Sequence, residues 1–317
     1  MDEKGYIISS LSFLLIIPAI LLVFVLLDVN NAGIETSSLT VQSKNVFYVA
    51  NDLKNNIQLI SKEIINETAI KIIDNGAVKD SRKTIKDQLQ LKINQLITNY
   101  EYSDGVNINC TIRSVDNGND PFIIQVNSTI QVSKNGVSHN ENVSQNVSLE
   151  GLPDCLPFIK CRGYGRLDIV DDRINYNSCL FNLLNKKNIT NFFVYINATS
   201  PYLIKRCPYH PYITHENFLT LKNCIDNGYY HESNDGACYL CRMEGKGVCP
   251  HYGLETFIIS SPISNSTLTL APCSVDHVIF NETVFCGMGL HYHQDTLKYY
   301  NIYLDNGHRS KYGIKNY

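Results

Sequence analysis

Residues 6–27 read YIISSLSFLLIIPAILLVFVLL, a run of twenty-two residues without a charged side chain. At the α-helical rise of about 1.5 Å per residue, such a run crosses the roughly 30 Å hydrocarbon core of a bilayer. Because no water is available there to satisfy backbone groups, a membrane-spanning run of this kind must be helical. We therefore predict a leader and transmembrane helix in residues 1–29, with the rest of the chain on one side of a membrane.

A cleaved secretory signal is the main alternative interpretation of this run. Such signals usually have an apolar region of about 7–15 residues followed by an A-x-A-like cleavage site. The run here is longer, and the small residues beyond it, Ala32-Gly33, lack that pattern. This favours retention of the helix, either as a plain signal anchor or after removal of a short leader.

The residues before the run, Lys4-Gly5, suggest the second of these options. A short charged leader that ends in Gly and precedes a retained apolar helix resembles the class III signal peptides of archaeal type IV pilin-like proteins. The family pattern has Gln, Ser and Glu at the first, third and fifth mature positions, where this chain has Tyr6, Ile8 and Ser10. The resemblance is limited to the N-terminal region. It implies cleavage between Gly5 and Tyr6, and partners that are other pilin-like subunits.

Charge and sequons indicate where the rest of the chain lies. The net charge is −3 over 317 residues, so no basic excess points to nucleic acid. Membrane lipid, other subunits and surface ligands are the expected partners. Nine N-x-S/T sequons beyond the helix favour an extracellular, glycosylated protein. The candidate acceptors are Asn66, Asn109, Asn127, Asn142, Asn146, Asn188, Asn197, Asn265 and Asn281.

Residues 30–150 combine two kinds of hydrophobic pattern. Apolar residues recur every three or four positions from Val46 to Ile64 and again from Ile85 to Tyr100, with Asp74-Asn75-Gly76 between the two stretches. This spacing predicts amphipathic helices. From residue 106 the apolar residues alternate, with Asn135-Gly136 as a turn signal, which predicts strands joined by hairpins. We expect a helical stalk followed by a small antiparallel β-meander.

The composition changes at residue 151. Ten of the eleven Cys, eight of the nine His and sixteen of the twenty Tyr lie beyond it. Asp305-Asn306-Gly307 is a hairpin signal. With the strand-like runs and the change in composition, it predicts a Cys/His/Tyr-rich, mostly β extracellular domain in residues 151–317, in a chain of the α+β class. The strand-like runs are Thr256–Ser260, Thr267–Leu270, His277–Phe280 and Tyr299–Leu304.

The densest constellation in this region is Cys238, Cys241, Cys249 and His251. Three thiols and an imidazole at this spacing could fill a tetrahedral zinc site. Cys207 and His210 form a nearby Cys/His pair, with Cys224 between the two groups. The alternative is a disulfide framework, which an extracellular location favours. Residues flanking Cys238 and Cys241 are typical of a loop, which argues against redox catalysis by this pair.

Two functional hypotheses follow from these patterns. The favoured one is a membrane-anchored extracellular structural or adhesive surface protein that is pilin-like. The alternative is an exported metal-binding protein or enzyme that uses the C-terminal Cys/His cluster. The sequence contains no Gly-rich phosphate loop, no G-x-S-x-G and no H-E-x-x-H motif, so we predict no enzymatic activity and, apart from zinc, no cofactor.

Overall fold

A computed structural model describes most of the chain. The described residues are 3–186, 195–209, 215–216, 218–260, 263–265, 268–270, 273–281, 288–294, 298–304 and 306–314. The first elements along the chain are helices α1 (Glu3–Asn75) and α2 (Ser81–Asp104) and strands β1 (Asn107–Asn117), β2 (Ile123–Lys134) and β3 (Val137–Ser148). The prediction of mixed helix and sheet with a long apolar N-terminal helix is confirmed in this coarse form.

Helix α1 continues without a break from the apolar run into the amphipathic stretch that follows. Its apolar side chains near the N-terminus are exposed, with Leu14 at 72 % and Val29 at 64 % of their full accessibility. Hydroxyls of Thr36 and Ser37 donate to the carbonyls four residues earlier, at 2.7 and 2.8 Å, so this polar part keeps its side chains satisfied within the helix. Within the described residues α1 is long and apolar enough to span a membrane, and a signal sequence meets the same criterion.

Two compact units account for the chain. The first contains Met1–Asn55, Asn94–Cys110 and Thr129–Asn142. In it Val46, Val49, Leu53 and Ile97 are buried, and the Tyr100 hydroxyl donates to Asp52. The hairpin between β2 and β3 turns at Asn135 and Gly136, whose φ angles are 47° and 85°. Positive φ at both central residues is what a type I′ hairpin requires, and the predicted turn is confirmed.

The second unit contains Asn56–Ile93, Thr111–Ser128 and Val143–Tyr317. The predicted helical stripes supply its buried residues Ile57, Ile64, Ile85 and Leu89. Every second residue of β2 is buried, which is the pattern of a strand with one face in the core. The sheet order is β1-β2-β3, as expected for a meander. The predicted domain boundaries after residues 29 and 150 stay predictions.

The remaining elements are short helices and strands. The helices are α3 (Leu156–Lys160), α4 (Cys179–Lys186), α5 (Phe218–Asn227), α6 (Tyr239–Met243), α7 (Asp276–Phe280) and α8 (Asn306–Lys311). The strands are β4 (Asp168–Val170), β5 (Arg173–Asn175), β6 (Thr199–Pro201), β7 (His231–Ser233), β8 (Gly253–Glu255), β9 (Phe257–Ile259), β10 (Ile263–Asn265), β11 (Leu268–Leu270), β12 (Cys273–Val275), β13 (Met288–Gln294) and β14 (Lys298–Leu304). Seven of these strands form a sheet of order β13-β14-β12-β9-β6-β5-β4, and β7 pairs with β8.

The expectation that residues 151–317 are mostly β stays a prediction, since six short helices, α3–α8, accompany the eleven short strands of the described part of this region. The run His277–Phe280, predicted to be a strand, belongs to helix α7. Asp276 lies in the first turn of α7 and accepts a hydrogen bond from the His277 backbone N–H at 2.8 Å, which favours a helix start. The expected hairpin at Asp305-Asn306-Gly307 is also wrong, since α8 begins at Asn306.

The predicted glycosylation sites differ in accessibility. Asn109, Asn142, Asn146, Asn197 and Asn281 are exposed, as glycan attachment would require. Two others, Asn66 and Asn127, are half-buried. Asn188 and the side chain of Asn265 lie outside the described residues. Glycosylation, like the predicted cleavage between Gly5 and Tyr6 near the start of α1, stays a prediction.

Candidate metal centres

The structure brings together the four residues that the sequence predicts as metal ligands. The ligand atoms of Cys238, Cys241, Cys249 and His251, here called the first tetrad, all lie within 4.8 Å of one another. The Nδ1 atom of His251 is 3.7 Å from Cys238 Sγ and 3.6 Å from Cys241 Sγ. Zinc–sulfur and zinc–nitrogen bonds of about 2.3 and 2.0 Å place tetrahedral ligand atoms about 3.5 to 3.8 Å apart. The first tetrad therefore has a geometry that could hold zinc.

Helix α6 sets the spacing of the first two thiols. Cys238 is its N-cap residue, with extended backbone, and its carbonyl accepts a hydrogen bond from the N–H of Arg242 at 2.9 Å. Cys241 follows in the first turn, on the same side as the cap. The interpretation of these flanks as a loop holds for residues 234–237, which form no helix or strand, and is wrong for Arg242 and Met243, which belong to α6.

A close backbone approach returns Cys249 and His251 to this helix. The backbone N–H of Leu254 donates to the Ala237 carbonyl at 3.1 Å. A Cβ atom at Gly253 would lie 2.5 Å from the Gly236 carbonyl oxygen and 2.6 Å from the carbonyl carbon of Ala237. Only a residue without a side chain can lie this close to the backbone of residues 236–238. This contact brings the loop before Gly253, which contains Cys249 and His251, back to Cys238.

Within the first tetrad the thiolate form is favoured at Cys249. Hydrogen bonds from Cys238 and Cys241 lower the pKa of Cys249, although burial opposes this. The pKa values of the other two thiols are raised, that of Cys241 chiefly through its hydrogen bond with Cys238. Partial burial opposes the charged form of Arg82, but the sulfur atoms of Cys238 and Cys241 outweigh it and raise the pKa of this guanidinium. A divalent ion with three thiolates carries one net negative charge, which Arg82 offsets. Because His251 is exposed and Cys249 half-exposed, this group borders solvent.

A second group of four possible ligands lies in the same unit. Cys207, His215, Cys224 and His231, here called the second tetrad, are all buried, and their ligand atoms also lie within 4.8 Å of one another. Cys207 Sγ is 3.3 Å from Cys224 Sγ and 3.6 Å from His215 Nε2, and His215 Nε2 is 3.2 Å from Cys224 Sγ. Hydrogen bonding from Cys224 lowers the pKa of Cys207, and the two histidines reinforce the shift.

Sequence reasoning identified only part of the second tetrad. It paired Cys207 with His210, which lies outside the described residues, and it missed His215 and His231. The signal for His231 is a backbone pairing that spacing alone does not show. Arg206 pairs in parallel with Tyr230, and the Cys207 N–H donates to the Tyr230 carbonyl at 3.0 Å. Cys207 and His231, which follow the paired residues, therefore lie close together.

Helix α5 contributes the second sulfur of this group. Phe218, Leu221, Cys224 and Ile225 are its buried residues, and their spacing of three and four places them on one face. Cys224 therefore points inward with the apolar side chains. This helical stripe was present in the sequence but was hidden among many short apolar runs.

Glu255, His277 and His308 form a third cluster of ligand atoms within 4.8 Å. A lysine already occupies the position of a cation there, because Lys311 Nζ is 2.7 Å from Glu255 Oε2. The Tyr312 hydroxyl donates to the other carboxylate oxygen. Although burial opposes it, His308 and Lys311 hold the pKa of Glu255 well below its ordinary value. This cluster is an internal ion-pair network rather than a metal centre.

The expected disulfide framework is not present among the described residues, none of whose ten cysteines forms a disulfide. Half of these sulfur atoms belong to the two tetrads. The others are buried outside the tetrads, where desolvation raises the pKa, as it does for Cys110 to about 11. They are Cys110, Cys155, Cys161, Cys179 and Cys273.

No known protein family, curated protein or solved structure matches this chain. The features that bear on its function are the exposed apolar helix and the Cys/His clusters, which are arranged so that they could hold metal ions such as zinc.

Proposed function

We propose that this chain is a membrane-anchored structural or adhesive surface protein of pilin-like construction, with most of the chain outside the cell. One observation carries the proposal. Helix α1 exposes a continuous apolar surface at its N-terminal end and buries an amphipathic face further along, without a break between them. A retained apolar helix that continues into the folded region is the construction that the leader Lys4-Gly5 also suggests.

Lipid is the natural environment of the exposed part. Leu22, Phe24 and Leu26 each keep about 60 % of their surface exposed. Leaving apolar surface in water costs about 25 cal/mol per Å², and a bilayer removes that cost for the whole run. Contiguous apolar surface on this scale marks a membrane or partner contact.

An external location is supported by the sequons on the sheet. Asn109, Asn142 and Asn146 are exposed strand residues that alternate with buried ones, so glycans there would not disturb the core. The absence of a basic excess also argues against a partner such as nucleic acid.

Association with other copies is supported by a stripe on α1 beyond the apolar run. Ile34, Val41 and Tyr48 are exposed at 60, 67 and 69 % and recur every seven residues. Seven residues make nearly two helical turns, so these side chains lie on one face of α1 and form an exposed apolar stripe. The α1 helix of a second copy would cover this stripe.

Mass spectrometry of the protein in the membrane fraction, which identifies its N-terminal residue, tests this proposal directly. A chain that starts at Tyr6 supports pilin-like processing. A chain that starts at Met1 or Asp2 contradicts such processing and is consistent with a plain signal anchor. A start beyond residue 28 contradicts membrane anchoring altogether. As a control, a variant without residues 6–27 should be found in the supernatant, and not in the membrane pellet, after alkaline extraction.

Metal binding by the first tetrad is the second candidate function, and the convergence of its four ligands favours it. Zinc bound there would be held by Cys238, Cys241, Cys249 and His251, since three thiolates and an imidazole suit this ion. The test is metal analysis of the purified full chain. Zinc that is lost in Cys241→Ser and retained in Cys110→Ser supports the candidate, and retention in both contradicts it.

A further inference from the structure

The second tetrad carries an inference that does not depend on the membrane anchor or on the first tetrad. We propose that Cys207, His215, Cys224 and His231 bind one structural zinc ion. Two thiolates and two imidazoles are a standard ligand set for structural zinc. Three separations between these ligand atoms, from 3.2 to 3.6 Å, are close to the spacing of about 3.5 to 3.8 Å around a tetrahedral ion, so little movement is needed.

Burial identifies the site as structural. All four ligands are buried, whereas the first tetrad has one exposed and one half-exposed member. A closed site leaves no coordination position for water or substrate, which is the difference between structural and catalytic zinc. The charge also balances, because two thiolates neutralise a divalent ion and leave no net charge in the interior.

Aromatic rings surround the two imidazoles and hold their orientation. The Tyr312 ring lies edge-on to His215 and to His231, with centroids 5.3 and 5.2 Å away. Phe257 contacts His231 at 5.8 Å, and Tyr209 contacts His215 at 5.9 Å. Residues in this outer layer exclude water and fix the ring planes of ligating histidines.

The ion would connect short elements that lie apart in the sequence. Cys207 follows the isolated bridge at Arg206, Cys224 is on the ten-residue helix α5, and His231 begins the three-residue strand β7. Through Tyr312 the site also contacts the C-terminal end of α8. Regions built from such short elements commonly need a metal or disulfide to be stable.

The first test is the zinc content of the purified full chain in detergent, measured with Cys241→Ser and Cys224→Ser separately. We expect Cys224→Ser to hold one zinc ion fewer than wild-type protein, whether or not Cys241→Ser also loses one. A matched control, Cys273→Ser, changes a buried cysteine outside both tetrads and should keep the full content. If Cys241→Ser removes all of the bound zinc and Cys224→Ser removes none, the proposal is overturned, whereas zinc binding by the first tetrad is supported. Iron in place of zinc would also overturn it.

A second measurement on wild-type protein covers the case in which Cys224→Ser does not fold. The chain is denatured with a chelator but without reductant, alkylated, and mapped by mass spectrometry. Alkylation of Cys207 and Cys224, together with the full zinc content, supports the proposal. A peptide in which these two residues are joined by a disulfide overturns it, whatever metal the first tetrad binds.

Discussion

The guanidinium of Arg242 donates two hydrogen bonds to the carboxylate of Asp154, and both side chains are fully buried. Asp276 accepts a further hydrogen bond from the same guanidinium at 2.6 Å. Burial opposes the charged form of Arg242, but the two carboxylates outweigh it and raise the pKa. Because Arg242 follows Cys241 in α6, this ion pair also fixes the helix that carries two ligands of the first tetrad.

Asp154→Asn should destabilise the protein by about 3 kcal/mol, the lower end of the cost of breaking a buried ion pair. The substitution removes a carboxylate from a guanidinium that cannot reach water, so the cost is that of an undercompensated buried charge. Chemical denaturation of the full chain in detergent, followed by fluorescence of its tyrosines, measures the change.

The control for this prediction is an exposed ion pair on α1. Glu67 and Lys71 lie 3.6 Å apart with about half of each side chain exposed, and such pairs contribute less than about 1 kcal/mol. Glu67→Gln should therefore have little effect. Equal destabilisation by the two variants would contradict a special role for the buried pair.

His277 should make stability depend on pH. Burial lowers its pKa below the ordinary value of about 6.5, despite the nearby carboxylates of Glu255 and Asp276. The neutral imidazole is then favoured in the folded state, and its contribution is complete above about pH 6.5 and is lost as the pH falls below that value. Stability should decrease on acidification by at most about 1.4 kcal/mol per pH unit from this group.

The test compares wild type with His277→Asn, which keeps a neutral polar group at this position. Thermal unfolding in detergent between about pH 5.5 and 7.5 should show a shallower pH dependence in the variant. Metal release in acid affects both proteins alike, so the difference reports on His277. Parallel curves would mean that this residue does not titrate on unfolding.

The N-terminal half could be predicted from sequence because its patterns are long and regular. The stripe from Val46 and the alternation from residue 106 each extend over several turns or many residues, and α1, α2 and β1–β3 follow them. Asn135-Gly136 also specifies its turn directly, since few residue pairs adopt positive φ at both positions.

The distal region could not be predicted to the same extent because its elements are three to ten residues long. Contacts far apart in sequence decide them, as when Arg242 holds Asp276 at the start of α7. The first tetrad was predictable because its ligands lie within one short stretch. His215 and His231 belong to different segments that only the fold brings together, so spacing gave no indication of them.

Gly253→Ala should disrupt the first tetrad without changing any of its ligands. The new Cβ would lie 2.5 Å from the Gly236 carbonyl oxygen, so the backbone of β8 must move away from residues 236–238. We expect a destabilisation of about 1 to 3 kcal/mol, typical of overpacking, and weaker zinc binding in a competition with a chromogenic chelator. Gly247→Ala is the matched control, because its Cβ would meet nothing closer than 3.7 Å. Equal zinc affinity in the two variants would contradict this explanation.

Val41→Asp should reduce association between copies without unfolding the protein, because Val41 is exposed and lies in the stripe that we assign to contact with a second α1 helix. Burying a carboxylate in such a contact is unfavourable by several kcal/mol, so the associated fraction should fall sharply. Ser43→Asp introduces the same charge at an exposed position about 200° around the helix, on the opposite side. Cross-linking in intact membranes, with each variant expressed alone, measures association. Loss in Val41→Asp but not in Ser43→Asp is expected. Unchanged association in both would mean that this stripe contacts something other than a second copy of the chain.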